Sequence, residues 1–123
     1  MAKKKLQKTE YKCPFELALD LVNGKWKGLV LWYLFDETRR YGEIKKAYPK
    51  ITQKMLSQTL KDLEKNKLIT RKVYAQIPPK VEYSITKEGK ELYPIFEMLY
   101  KWGEKMSQTL DVEVEEHALI CEE

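Results

Sequence analysis

The sequence predicts an α+β fold that is mainly α, with a core of three helices, a two-stranded hairpin and a further helix at each end. The polar segment 52–65 carries leucines at helical spacing (i, i+4, i+7). Two alternating segments follow it, 68–75 and 81–86, and a turn with two prolines separates them. The flanking regions carry apolar stripes of helical period, which predict the remaining helices.

Length and composition are those of one soluble folded domain. The chain has 123 residues, enough to bury a core without disulfides, and is 43% hydrophobic and 34% charged. No apolar run approaches the roughly 20 residues that span a bilayer. The lysine-rich start has no apolar stretch behind it, so no secretory signal is expected. We therefore expect a cytoplasmic protein with reduced thiols.

Positive charge is concentrated before the C-terminal end. Residues 111–123 hold six acidic residues and no Lys or Arg, which leaves 23 basic and 13 acidic residues over 1–110. Such a domain attracts polyanions, although a merely lysine-rich solvated surface explains the charge as well. The composition divides the chain into a flexible basic arm (1–12), a folded domain (13–110) and an acidic tail (111–123).

Two helices are predicted first. Pro14 to Val22 begins with a residue that suits the first helical position, and Asn23-Gly24 ends it because both tolerate the left-handed conformation. Lys25 to Phe35 forms the second helix. Its inward residues are expected to be Trp26, Leu29, Val30, Tyr33 and Leu34.

A third, short helix is predicted for Tyr41 to Tyr48, after a stub of strand at Arg39-Arg40. Ile44 and Ala47 face inward. Pro49 ends this helix, since the residue before a proline avoids the α conformation.

The fourth helix is the polar segment 52–65. Thr52 suits its N-cap because the hydroxyl accepts a hydrogen bond from a first-turn amide, and Ile51 with Leu56 can form a hydrophobic staple across that start. Helices two to four, with the turn 49–51, form a helix-turn-helix unit.

The two alternating segments form a hairpin around the loop 76–80. Arg71 and Val73 share one face, and Lys72 lies on the other. Arg71 could contact DNA or pair with Glu82 across the hairpin. A helix-turn-helix followed by a basic hairpin is the winged helix-turn-helix arrangement, which is typical of DNA-binding proteins.

Thr86 is predicted to cap a final long helix from Lys87 to about Leu110, kinked in its early turns by Pro94. This helix carries a near-heptad apolar stripe, which packs on its own core or, as we expect, on a second subunit. The residues expected at the dimer contact are Phe15, Leu19, Leu92, Phe96, Leu99, Trp102 and Met106.

Four segments resemble the HxlR-type winged-helix transcriptional regulators. CPFELALDLVNGKWK (13–27) is similar to the opening of that family, ITQKMLSQTLKDLE (51–64) to its recognition helix, and PPKVEYSIT (78–86) to its wing. Leu92-Tyr-Pro-Ile with Trp102-Gly103 resembles its last helix. The resemblance covers about residues 11 to 105. It implies a homodimeric DNA-binding repressor or activator that dimerises through its first and last helices. Some members respond to reactive molecules or redox state.

The exposed face of the fourth helix supplies candidate DNA contacts. Gln53 and Gln58 could bond adenine, and Lys54 could reach guanine or a phosphate. Ser57 and Lys61 suit phosphates, as do the wing cations and two arginines before the third helix. A solvated polar face is the alternative. The full candidate set is Thr52, Gln53, Lys54, Ser57, Gln58, Lys61, Arg39, Arg40, Lys72 and Lys80.

Cys13 is the candidate for chemistry, because it starts the first helix, where the helix dipole and Lys12 attract negative charge. It could sense oxidants or electrophiles through an intersubunit disulfide or an adduct, or it could be purely structural. Cys121, in the acidic tail, is a remote candidate as its partner.

The residue pattern argues against a metal site, a cofactor and an enzyme. His117 is the single histidine of the sequence, and no phosphate-binding Gly-rich loop, nucleophile elbow or HExxH occurs. A winged helix that binds protein partners, or one that responds to a small non-covalent ligand, remains an alternative. The residues that could line a ligand pocket, or simply form core, are Trp26, Trp32, Tyr33, Phe96, Tyr100 and Trp102.

Overall fold

The computed structural model describes residues 10–115. Most of the basic arm and residues 116–123, with His117 and Cys121, lie outside the described residues. Within the described part the elements are α1 (Pro14–Val22), α2 (Lys25–Leu34), β1 (Arg39–Arg40), α3 (Tyr41–Ala47), α4 (Gln53–Lys65), β2 (Ile69–Tyr74), β3 (Lys80–Ile85), α5 (Lys87–Lys90) and α6 (Tyr93–Thr109). The mainly helical winged helix-turn-helix prediction is confirmed.

The hydrophobic core lies between α2, α3, α4 and the start of β2. Ile44 and Ala47 are buried as predicted, whereas Trp26 and Leu29 are only half-buried. Leu31, which the sequence did not place inward, is completely buried. The largest fully buried side chains are Val30, Leu31, Leu34, Ile44, Ile51, Leu56, Leu60, Leu63 and Ile69.

The three strands form one antiparallel sheet in the order β1-β3-β2. Arg71 lies opposite Tyr83, and Lys72 lies opposite Glu82. The predicted alternative pairing of Arg71 with Glu82 is therefore wrong, because adjacent positions of a strand point to opposite faces. Glu82 instead accepts a hydrogen bond from the Tyr74 hydroxyl at 3.0 Å and lies 3.7 Å from Lys80 Nζ.

Side chains cap the helices where the sequence predicts it. The Thr52 hydroxyl accepts a hydrogen bond from the Met55 amide at 3.0 Å, and the Thr86 hydroxyl accepts one from the Gly89 amide at 3.0 Å. Gly24 ends the link after α1 with φ +97°, a conformation that favours glycine. These caps fix where α4 and α5 begin.

The prediction of one helix from Lys87 to about Leu110 is wrong. The short helix α5 ends at Lys90, and α6 begins at Tyr93. Pro94 is not a kink inside a helix but lies in the first turn of α6, where its missing amide hydrogen would have no intrahelical partner.

The helices α1 and α6 lie at the periphery of this core. No residue of either helix is buried. Leu21 and Val22 of α1, with Leu92 and Phe96 at the start of α6, pack partly against the core. Tyr100 and Met106 of α6 are half-buried, and most of the other apolar residues of both helices are exposed.

Candidate nucleic-acid interface

Helix α4 divides into a buried apolar side and an exposed polar side. Leu56, Leu60 and Leu63 are at most 2% exposed, so this side anchors the helix to the core. The opposite side presents amide and ammonium groups to solvent, on Gln53, Lys54, Gln58 and Lys61. Because the anchor fixes the rotation of α4, these polar groups point outward together.

Three contacts orient the exposed side of α4 further. Gln58 Nε2 donates a hydrogen bond to Asp62 at 3.0 Å, and the Asp62 carboxylate lies 3.9 Å from Lys27 Nζ on α2. The Tyr41 hydroxyl donates to the Gln53 carbonyl at 3.3 Å. The contacts with Lys27 and Tyr41 join different elements, so only the fold reveals them, whereas Gln58 and Asp62 have the i, i+4 spacing that the sequence already shows.

Ser57 differs from its neighbours on α4. Its side chain is half-buried and lines a cavity of about 490 Å³ between α4 and the sheet. Lys61, Arg71 and Tyr83 also line this cavity. The fold thus brings Ser57 and Lys61 beside Arg71 of the wing.

The two arginines before α3 have different surroundings. The Arg39 side chain is 14% exposed, lies 3.3 Å from Asp36 and stacks 4.2 Å above the Tyr33 ring. Arg40 is exposed, and its backbone amide donates to Glu43 at 2.8 Å. Arg39 is therefore engaged within the domain, whereas the Arg40 side chain faces solvent.

An aromatic ring organises the cations of the wing. Lys72 Nζ and Lys80 Nζ lie 5.0 and 4.3 Å from the Tyr74 ring centroid. Cations at such distances are attracted to the ring face. At the loop, Ile77 is completely exposed. Neither Tyr74 nor Ile77 was predicted from the sequence to belong to the site. Tyr74 could have been, because it is an aromatic residue between Lys72 and Lys80.

Cys13 occupies the N-cap of α1, and its thiol is exposed and free. Its carbonyl accepts hydrogen bonds from the amides of Glu16 and Leu17, at 3.1 and 3.4 Å. The Lys12 backbone amide donates to the Glu16 carboxylate at 2.9 Å. An external oxidant or a second subunit can reach this thiol.

The predicted dimer residues fall into two groups. Phe15, Leu19, Leu99 and Trp102 are 49–70% exposed. Leu92 and Phe96 pack partly on the core, and Met106 is half-buried. Ile95 and Met98 are also exposed, at 58% and 71%. Neither was predicted from the sequence to lie at the dimer contact.

Other kinds of site lack support in the part of the chain that the structure describes. Residues 10–115 contain no group of His, Cys, Asp or Glu side chains that could hold a metal ion. None of the helices described is long and apolar enough to cross a bilayer.

Comparison with known proteins identifies the family. The model of the HxlR-like helix-turn-helix family matches residues 21–111. The chain belongs to this family. It is therefore a helix-turn-helix transcriptional regulator, and membership of a regulator family implies a non-enzymatic protein that binds DNA. The resemblance found in the four sequence segments is confirmed.

Relatives of this HxlR-like protein match most of its length. The HTH-type transcriptional regulator YdeP of Bacillus subtilis is 48% identical over 99 residues, which cover 80% of this chain and 77% of YdeP. The reduced form of the redox regulator HypR is 41% identical with a TM-score of 0.77, covering 80% of this chain and 98% of that one. Reduced YodB of B. subtilis is 36% identical with a TM-score of 0.68, covering 77% and 94%.

Proposed function

We propose that this HxlR-like protein acts as a homodimer that binds an inverted-repeat operator in double-stranded DNA. The observation that carries the proposal is the anchored helix α4, whose leucines are buried while its glutamines and lysines are exposed. A recognition helix in the major groove reads bases mainly through its N-terminal residues. We place the protein in the cytoplasm, together with the DNA that it binds.

The candidate DNA contacts at the start and along the length of α4 receive roles from their positions. Gln53 and Lys54, in the first turn, read base edges, and Gln58 reads an adjacent base from an orientation held by Asp62. Thr52, Ser57 and Lys61 contact phosphates and set the register.

The wing supplies cations to the neighbouring backbone or minor groove. Lys72 and Lys80 share the Tyr74 ring, which holds both ammonium groups near one edge of the loop 76–80. Arg40, being exposed, reaches a phosphate from the start of α3. Arg39 keeps its contacts with Asp36 and Tyr33 and supports that position from within the domain.

The dimer forms through α1 and α6, whose outer faces carry the exposed residues Phe15, Leu19, Leu99 and Trp102. Exposed apolar surface of this extent is typical of an interaction site. Leu92, Phe96 and Met106 are half-buried in one subunit and contribute their remaining exposed surface to this contact. A two-fold dimer places its two α4 helices in successive major grooves, about 34 Å apart.

Selection of bound duplexes from a random pool, followed by gel-shift titration, tests specific readout. We expect an inverted repeat with half-sites one helical turn apart. Lys54→Ala should weaken binding to the selected site by roughly 1–3 kcal/mol and relax the preference at one position. Lys90→Ala, an exposed change on α5, is the matched control.

Two outcomes would contradict this assignment. A uniform loss for all sequences, with a salt dependence flatter by about one unit, would make Lys54 a phosphate contact only. Binding that is weak and indifferent to sequence for the unaltered protein would favour the other class considered, a winged helix that binds protein partners.

We further propose that oxidation at Cys13 regulates this dimer. The thiol is exposed at the start of a helix assigned to the dimer contact, and HypR, a solved structure similar to this chain, is a redox regulator known in oxidised and reduced forms. Two Cys13 thiols, one from each subunit, lose two protons and two electrons to the oxidant and form one disulfide.

Diamide, which takes up those protons and electrons as it becomes the hydrazine, tests this proposal. On non-reducing gels we expect a covalent dimer that reducing agent reverses. Cys13→Ser should abolish it, and Cys121→Ser should leave it intact. A covalent dimer in Cys13→Ser, or none in the unaltered protein, would remove Cys13 from this role.

A further inference from the structure

A cavity of about 850 Å³ lies between α2 and α6. This volume is within the range of small-molecule sites, roughly 300–1,000 Å³. Leu29 and Trp32 of α2 line it, as do Phe96 and Tyr100 of α6. The exposed residues Ile95, Met98 and Trp102, on the outer face of α6, do not line it. Phe96 and Leu99, which belong to the proposed dimer contact, do line it, so the cavity and the proposed dimer face adjoin along α6.

Aromatic rings lead into this cavity as a stack. Trp32 lies nearly parallel to Tyr93, with ring centroids 6.1 Å apart, and nearly parallel to Tyr100, at 5.4 Å. Tyr93 is outside the cavity, whereas Trp32 and Tyr100 form part of its wall. Offset stacking stabilises aromatic pairs, so the wall is suited to a further flat ring.

Two glycines inside helices border the same space. Gly28 of α2 and Gly103 of α6 line the cavity, and a Cβ added at either would meet no atom of the described part of the chain within 4 Å. Glycine within a helix is less stable than alanine because it loses more backbone entropy on folding. Within residues 10–115 no close contact accounts for these two glycines, although each lowers the stability of its helix.

The charged side chains that line the cavity are more acidic than basic. Glu104 and Glu115 line it, against a single lysine, Lys25, whose Nζ lies 4.8 Å from the Trp26 ring centroid. This balance favours a cation over an anion, and aromatic faces attract cations as well.

We propose that this cavity binds a flat aromatic cation, stacked beside Trp32 and Tyr100 and paired in charge with Glu104. The helix that forms one wall, α2, also carries Lys27, which lies 3.9 Å from the Asp62 carboxylate that orients Gln58. An occupant thus sits on a helix that is linked to the exposed side of α4.

Berberine, a flat aromatic cation whose fluorescence rises in apolar sites, is the probe. It is titrated into the full-length protein without DNA, so the result is independent of the proposed DNA binding. We expect saturable binding, and binding reduced about ten-fold or more in Gly28→Leu and in Gly103→Leu, because the new side chain fills the space. Gly42→Leu is the control, since Gly42 on α3 also borders open space but lies away from the cavity.

A second set of variants tests the charge. Glu104→Gln should weaken berberine binding about two- to five-fold, the usual range for an exposed ion pair. Glu97→Gln, on the same helix but not on the wall, should leave it unchanged. The anion anthraquinone-2-sulfonate should bind more weakly than berberine.

Four results would overturn the proposal. These are the absence of saturable berberine binding, unchanged affinity in both leucine variants, tighter binding of the anion, and conversion of either folded leucine variant to a monomer by light scattering. The last would assign the space to the subunit contact. If a leucine variant loses its helical circular dichroism, the test rests on Glu104→Gln alone, because Glu104 is exposed and its replacement should not disturb folding. Unchanged berberine affinity in Glu104→Gln would then overturn the proposal.

Discussion

At the scale of single residues, similar side chains near α3 have different tasks. Arg39 is held by Asp36 and by the face of Tyr33, while Arg40 next to it reaches solvent. The sequence could not tell which of the two arginines faces inward, because both positions carry the same residue. The alternation of a β-strand separates them, since neighbouring side chains point to opposite faces.

The N-cap of α4 leads to a prediction at this scale. Thr52→Ala removes the acceptor of the Met55 amide, so that amide loses its partner at the helix start. We expect the free energy of unfolding to fall by about 1 kcal/mol, measured by urea denaturation without DNA. Thr52→Ser keeps the hydroxyl and should retain most of the stability. An equal loss in both variants would show that the methyl group, not the cap, matters.

At the scale of elements, the apolar periodicity gave a wrong prediction at the junction between the hairpin and the C-terminal helices. The apolar stripe of α6 was recognised, but its extension back to Lys87 was not correct. In the structure α5 is a separate turn that packs Gly89 against the hairpin, and α6 starts anew with Pro94 in its first turn. A stripe of apolar residues does not reveal such a break, because both helices can contribute to it.

Gly89 provides the prediction for this junction. A Cβ at Gly89 would meet the Leu68 carbonyl oxygen and would lie 2.6 Å from Ile85 Cγ1, so the hairpin or α5 would have to move. We expect Gly89→Ala to lower the free energy of unfolding by about 1–3 kcal/mol in urea denaturation.

The matched change is Gly42→Ala in α3, where the Cβ meets nothing within 4 Å. It should be neutral or stabilise the protein by up to about 1 kcal/mol, since alanine favours a helix. If Gly89→Ala is as stable as Gly42→Ala, α5 does not pack closely on the hairpin.

At the scale of the whole molecule, the exposed apolar residues of α1 and α6 are the feature that one subunit leaves unexplained. Phe15, Met98 and Trp102 are 57–71% exposed, and both helices lie outside the core. Large exposed apolar side chains in a group, unlike single ones, indicate a contact surface. The homodimer proposal gives them a partner.

Charge placed on that surface tests the dimer. Trp102→Glu and Phe15→Glu should each shift the protein from dimer to monomer in light scattering, because a buried unpaired carboxylate is strongly unfavourable. Gel-shift affinity for the selected operator should fall with it, since one subunit contacts one half-site only. Ile77→Glu, at the fully exposed wing loop, should leave the dimer intact. Dimers that persist in both helix variants would place the contact elsewhere.

The sequence by itself determined the class of fold and the anchored polar helix, because leucine spacing, capping threonines and strand alternation are local properties that survive tertiary packing. It also placed Cys13 at the start of α1, as the structure shows. Only the tertiary structure decided that Asp62 lies 3.9 Å from Lys27 of α2, that the Tyr41 hydroxyl reaches the Gln53 carbonyl and that α2 and α6 border one cavity. These features join residues far apart in the chain, and their distances depend on how the helices pack.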